Sequence, residues 1–166
     1  VEDYKIVFHG PFKVEVIVYD KSIVGYVSYM SSYMYFDREG IVVESSGRKL
    51  EGIPWITGMD LGRVVLYQPL PVADRRIFEE ILNLTQQLSL YEIQADQIRF
   101  DAYNQPVLTI GQMEVILESM GNIDSKLSVL NDILTDQPQL RGIRGTLELG
   151  DYSETNDRAG ITFKKK

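Results

Sequence analysis

The hydrophobic period changes along this chain, and that change bounds the folds open to it. From Asp74 to Leu88 the apolar residues Ile77, Ile81, Leu84 and Leu88 fall at i, i+4, i+7 and i+11, one face of a helix widened by Phe78 and Leu82. Asp74 is placed to cap it, Pro71 lies just upstream, and Arg75, Arg76, Glu79, Glu80, Asn83, Gln86 and Gln87 make the solvated face. Asn122–Thr135 repeats the pattern, with Leu127, Leu130, Ile133 and Leu134 on one side and Asn122 or Asp124 as the cap. Elsewhere the ordered stretches read as strands. The succession strands, helix, strands, helix, strands predicts an α+β fold: a mainly antiparallel β-sheet packed against two helices.

The strand-like stretches are separated by recognisable turns. Tyr4–Phe8 and Phe12–Tyr19 flank His9-Gly10-Pro11. Ile23–Val27 leads through Tyr29, Tyr33, Tyr35 and Phe36 to Asp37-Arg38-Glu39-Gly40, a hairpin signal answered by Ile41–Glu44. Gly52–Gly58 reads as an ordered loop, because its glycines and proline interrupt both periods, with Trp55 as its packing anchor. Ile98–Tyr103, Val107–Ile110 and Met113–Leu117 form a three-strand meander. Gly142–Leu149 is a late strand, Gly150–Ala159 a polar loop, and Gly160–Phe163 a last short strand.

Composition removes most catalytic chemistries. The 166 residues include no cysteine and one histidine, His9, which is expected in a turn. Thiol nucleophiles, cysteine zinc sites and serine–histidine–acid triads therefore lack their parts. Seventeen basic against 24 acidic residues leave a net charge of −7, with no basic face to bind nucleic acid. Lys164–Lys166 read as a solvated end. The acids Glu79-Glu80, Asp37 and Glu39, and Asp151, Glu154 and Asp157 lie on exposed faces or in turns, where carboxylates acquire neither a cleft nor divergent pKa values. The 151–157 run lacks the glycine and terminal glutamate of a calcium loop. No catalytic residue, metal or cofactor is expected.

Two binding surfaces stay open on the residues alone. Tyr26, Tyr29, Tyr33, Tyr35 and Trp55 could form a stacking platform, making the chain an extracellular carbohydrate- or peptidoglycan-binding module. Tyrosines in strands equally well cover sheet faces. At the C-terminus, a short last strand leaves a sheet edge that is either used for strand addition or blunted by its lysines.

The order of signals resembles the extracytoplasmic part of the bacterial cell-division proteins FtsQ/DivIB. Pro11–Val18 followed by Ile23-Val24-Gly25-Tyr26 is similar to the last strand of that family's POTRA domain leading into its β domain. Tyr35–Val42 resembles its aromatic–Asp–x–x–Gly hairpin, and Gly52–Gly58 its Pro-x-x-x-Gly loop. Met113–Leu117 with Lys126–Leu130 resembles the strand before the helix opening on Lys-Leu-x-x-Leu. Gly145–Leu149, the polar loop and Ile161-Thr162-Phe163 complete the series. Glu118 stands where the family usually has glycine, and the 150–159 loop is longer than in Gram-negative members.

The resemblance implies residues 1–20 as the C-terminal end of a POTRA domain and 21–166 as the β domain. It also implies a single-pass cell-membrane protein, anchored by a helix absent from this chain, with this part outside the membrane at the division septum. The implied function is a non-enzymatic divisome scaffold that recruits and positions FtsB (DivIC) and FtsL and, through them, the septal peptidoglycan synthase. Its partner-binding residues would be Tyr152, Gly160, Ile161, Thr162 and Phe163, acting by β-strand addition.

Overall fold

The computed structural model describes residues 3–8, 14–19, 23–150, 152 and 161–166, and the side chains of all but the first two stretches. The β-branched runs at the start form β1 (Asp3–Phe8) and β2 (Val14–Tyr19), paired antiparallel from Asp3↔Tyr19 to Phe8↔Val14. They make a two-stranded sheet of their own. The predicted turn at His9 lies outside the described residues.

The remaining elements are β3 (Ile23–Tyr29), β4 (Ser32–Asp37), β5 (Val42–Ser46), β6 (Trp55–Thr57), α1 (Arg75–Leu90), β7 (Gln97–Phe100), β8 (Pro106–Ile110), β9 (Met113–Ile116), α2 (Ile123–Asp136), β10 (Gly145–Glu148) and β11 (Thr162–Lys165). A short 3₁₀ turn, Pro138–Gly142, ends where the sequence reads the late strand as beginning, and the strand itself starts at Gly145. Among the described residues these strands build one nine-stranded sheet in the order β11-β10-β9-β8-β7-β6-β3-β4-β5.

That sheet corrects the expected fold class. It is mixed, not mainly antiparallel: β3 with β6, β6 with β7, and β9 with β10 are parallel ladders. The reason lies in the connections. Parallel neighbours need a crossover of a dozen or more residues. The stretch containing α1 carries the chain from β6 to β7, and α2 carries it from β9 to β10. Each helix is thus a crossover that returns the chain in its original direction.

A second correction concerns Gly52–Gly58. Its middle, Trp55-Ile56-Thr57, is the strand β6, and it lies between two antiparallel meanders, β3–β4–β5 and β7–β8–β9. Trp55 N–H donates to Asp96 O (2.9 Å), and Tyr26 N–H donates to Pro54 O (3.1 Å). Ile56 is 2% exposed and belongs to the same core as Phe36, Ile81, Ile98, Leu127 and Leu147. Three residues are too few to display a period, so the glycines on either side dominate the sequence signal.

The two helices cover one face of this sheet. Asp74 caps α1 as expected, its Oδ1 accepting from Arg76 N (3.0 Å) and Ile77 N (3.5 Å). The α2 cap differs: Asn122 takes the N-cap position with φ 52° and its side chain makes no capping bond. Asp124 accepts instead from the Tyr91 hydroxyl (2.7 Å), tying the start of α2 to the end of α1. The Asp37 hairpin forms as read, with Asp37 Oδ1 accepting from Glu39 N and Ile41 N and Gly40 at φ 78°. No helix among the described residues is long and apolar enough to cross a membrane.

Replacing Ile56 by Ala should lower unfolding free energy by about 2–5 kcal/mol, because the emptied site lies between two halves that cannot close independently. Chemical denaturation measures this. A loss under about 1 kcal/mol would mean that β6 is not the joint between the meanders.

Candidate partner-binding edge

β11 closes one end of the sheet, bonded to β10 alone among the described strands. Its register runs Gly145↔Lys165, Thr146↔Lys164, Leu147↔Phe163 and Glu148↔Thr162. Lys166 N–H donates to Arg144 O (3.1 Å), which makes that opposed pair a hydrogen-bonded one. Bonded and non-bonded pairs alternate along an antiparallel ladder. Thr162 and Lys164 therefore turn their main-chain groups toward β10, whereas Phe163 and Lys165 turn theirs outward. On β10 the same alternation is independently visible, since Leu149 N–H donates across to Ile116 O (3.0 Å) on the β9 side.

Side chains sort by the same period of two. Phe163 is half-buried and packs against the helix-side core. It lies close against Gly145: a Cβ there would strike the Phe163 ring and approach Lys164 O to 2.8 Å. Thr162, Lys164 and Lys166 face the other way, onto the sheet face without helices. Lys164 Nζ donates to Glu148 Oε1 and Oε2 (2.8 and 2.9 Å). Lys166 Nζ donates to Glu114 Oε2 (2.7 Å), while Arg99 Nη2 donates to Glu114 Oε1 (3.0 Å). The bonds to Lys166 and Arg99 outweigh burial and hold the Glu114 carboxyl below the usual carboxylate range.

The residues implied by the resemblance distribute as follows. Thr162 and Phe163 lie in β11, and Ile161 immediately precedes it, 37% exposed. Tyr152 is half-buried, its N–H donating to Leu149 O (3.2 Å) just beyond the end of β10. Because β10 and β11 are antiparallel, Tyr152 and Ile161 lie at the same end of the sheet. Gly160 and most of the polar loop lie outside the described residues. The strand itself sits two residues further on than Gly160–Phe163, so it includes Lys164 and Lys165, which the sequence assigns to a solvated tail. The sequence does not reveal the contacts of Glu114, Glu148 and Arg99 with the edge, nor that of Gly145 with Phe163. The i, i+2, i+4 spacing of Thr162, Lys164 and Lys166 is the signal that places them on one strand face.

The tyrosine cluster has a different geometry from a stacking platform. Tyr26 and Tyr35 are 2% and 0% exposed. Tyr26 meets Tyr33 edge-on at 81° and Tyr35 at 45°, so the rings are not coplanar. The Tyr35 hydroxyl donates to Arg48 O (3.2 Å) and accepts from Leu50 N (2.7 Å), and burial pushes its pKa up. Lys49 Nζ lies 5.6 Å from the Tyr26 ring centre, and its hydrogen bond to Tyr26 raises its pKa. These rings hold the 48–50 segment onto the sheet. Among the described residues no three acidic or histidine side chains converge as a metal site.

No protein-family model matches the chain, and no curated protein matches it.

Two outcomes follow from the way β11 is attached. Gly145→Ala should force Phe163 off its seat and weaken docking of β11 by about 1–3 kcal/mol. Trypsin should then remove the terminal lysines faster, as mass spectrometry would show; an unchanged rate contradicts the Gly145–Phe163 contact. The second outcome concerns pH. A carboxyl whose folded pKa is depressed adds stability above its unfolded value, about 4.3 for Glu, and loses it as pH falls through the folded value. The Lys166 amide should thus keep its folded NMR shift at neutral pH and lose it only below that range. In Glu114→Gln that acid transition should disappear.

Proposed function

We propose that the chain is the extracytoplasmic part of a divisome scaffold of the FtsQ/DivIB type, which captures an extended segment of an FtsB/DivIC protein by strand addition at β11. The observation that carries the reading is the edge itself. Phe163 and Lys165 direct N–H and C=O groups away from β10 that pair with no strand among the described residues, and such groups template another strand. The order of motifs from Pro11 to Phe163 supports the family, and the lack of thiol or histidine chemistry fits a protein that acts by positioning. FtsL and the septal peptidoglycan synthase would be engaged through the captured segment. The protein would sit at the septum, anchored to the cell membrane by a helix outside this sequence.

In this reading main-chain hydrogen bonds supply the affinity, and Ile161, Phe163 and the half-buried Tyr152 supply anchors. Gly160 completes the set of residues that the resemblance implies. Lys164 and Lys166 are held by Glu148 and Glu114, so two of the three terminal lysines stabilise the edge instead of repelling a partner.

Proline distinguishes the two sides of β11. It is tolerated on an edge strand where the lost N–H faces solvent. Lys165→Pro should leave the unfolding midpoint nearly unchanged yet reduce binding of the FtsB/DivIC extracytoplasmic segment from the same genome at least tenfold, measured by calorimetry. Lys164→Pro should instead remove an N–H aimed at β10 and loosen the strand in the free protein. Undiminished binding by the Lys165 variant contradicts strand addition at this edge.

A further inference from the structure

Lys126 is a buried cation remote from the β11 ladder. It lies in the first turns of α2, 1% exposed, and its Nζ donates to Leu117 O (2.7 Å) and Ser119 O (3.2 Å). Taking an ammonium out of water is costly unless hydrogen bonds compensate it. Its retention here calls for a role in holding what it touches. What it touches is the turn between β9 and α2.

That turn carries Glu118 at φ 58°, a left-handed backbone that favours glycine. Glu118 is exposed, and its carboxyl group fills the space beside Gly150 that a Cβ would need. Gly150 directly follows the β10 exit, where Leu149 N–H reaches Ile116 O and Tyr152 N–H reaches Leu149 O. A continuous set of contacts therefore runs from α2 through Lys126 to the 117–120 turn, and from Glu118 to the segment that leads toward β11.

We propose that Lys126 and Glu118 are positioning residues for the partner-binding edge, seating Gly150 and Tyr152 at the mouth of the final loop. The proposal deepens the strand-addition reading and rests on it for the consequence in binding. Lysine suits the task because a compact ammonium can serve two carbonyls two residues apart, whereas the planar guanidinium fork of arginine cannot be rotated to match. The Gly150 position must stay free of a side chain for the Glu118 carboxyl to rest there.

The test compares hydrogen exchange in the full chain, K126M and G150A, and then binding of the FtsB/DivIC extracytoplasmic segment. K126M keeps the side chain's length and removes its donors; G150A displaces Glu118 without touching the core, so it decides the matter if K126M fails to fold. Both should speed exchange of the Leu149 and Tyr152 amides about tenfold while β7 and β8 amides stay protected. The double variant should add little to either change, a non-additivity that a general loss of core stability would not give. Segment affinity should fall about tenfold in each variant. Wild-type exchange at Leu149 and Tyr152 in folded G150A overturns the proposal, and so does loosened exchange with undiminished affinity. Exchange needs no partner. A wild-type chain that fails to bind the segment therefore sinks the strand-addition reading, while the exchange comparison still decides whether Lys126 and Glu118 seat this segment.

Discussion

The direction of the chain after each helix determines the rest of this structure. A helix between two strands of one sheet acts as a crossover, so α1 and α2 oblige β7 and β10 to run parallel to β6 and β9. The β6–β7 ladder joins the two meanders, and the β9–β10 ladder extends the sheet past the second. They leave the last strand, paired antiparallel to β10, as the terminal member among the described strands. Had β10 paired antiparallel to β9, the chain end would have left the sheet from the opposite end. The edge is a consequence of topology before it is a feature of any residue.

Holding a short strand at such an edge is a separate problem. β11 has four paired residues, and only Phe163 among them reaches the core. Surface ion pairs are individually weak, typically 0–1 kcal/mol, but here they act on consecutive residues of one strand face. Lys164 is held by Glu148, and Lys166 joins Arg99 on Glu114, which spans β9, β7 and the chain end. The absence of a side chain at Gly145 lets Phe163 lie close enough to β10 for both attachments to form. The result is a strand fixed on its inner side whose outer side still offers main-chain donors and acceptors.

Much of this was legible in the amino-acid sequence. Amphipathic spacing places α1 and α2 to within two residues, because a full stripe of leucines and isoleucines outweighs any single cap. The Asp37–Gly40 hairpin and the β7–β8–β9 meander are equally clear, since each turn has local chemistry. What failed were properties that no local window contains. β6 is a strand because β3 and β7 supply partners, not because Trp55-Ile56-Thr57 demands it. The parallel ladders escape a count of strands and helices, because that count does not say which strands become neighbours. At the edge, Phe163 falls in the last strand, where its β-type neighbours place it, but charge alone makes Lys164–Lys166 read as a solvated end; the glutamate partners of Lys164 and Lys166 lie 16 and 52 residues away.

The most direct measurement of the central claim is the amide protection of β11 with and without the FtsB/DivIC extracytoplasmic segment, resolved residue by residue by NMR. Strand addition predicts that Phe163 and Lys165 become protected on binding, while Thr162 and Lys164, already turned toward β10, change little. Binding that leaves Phe163 and Lys165 exchanging as in the free chain would contradict it.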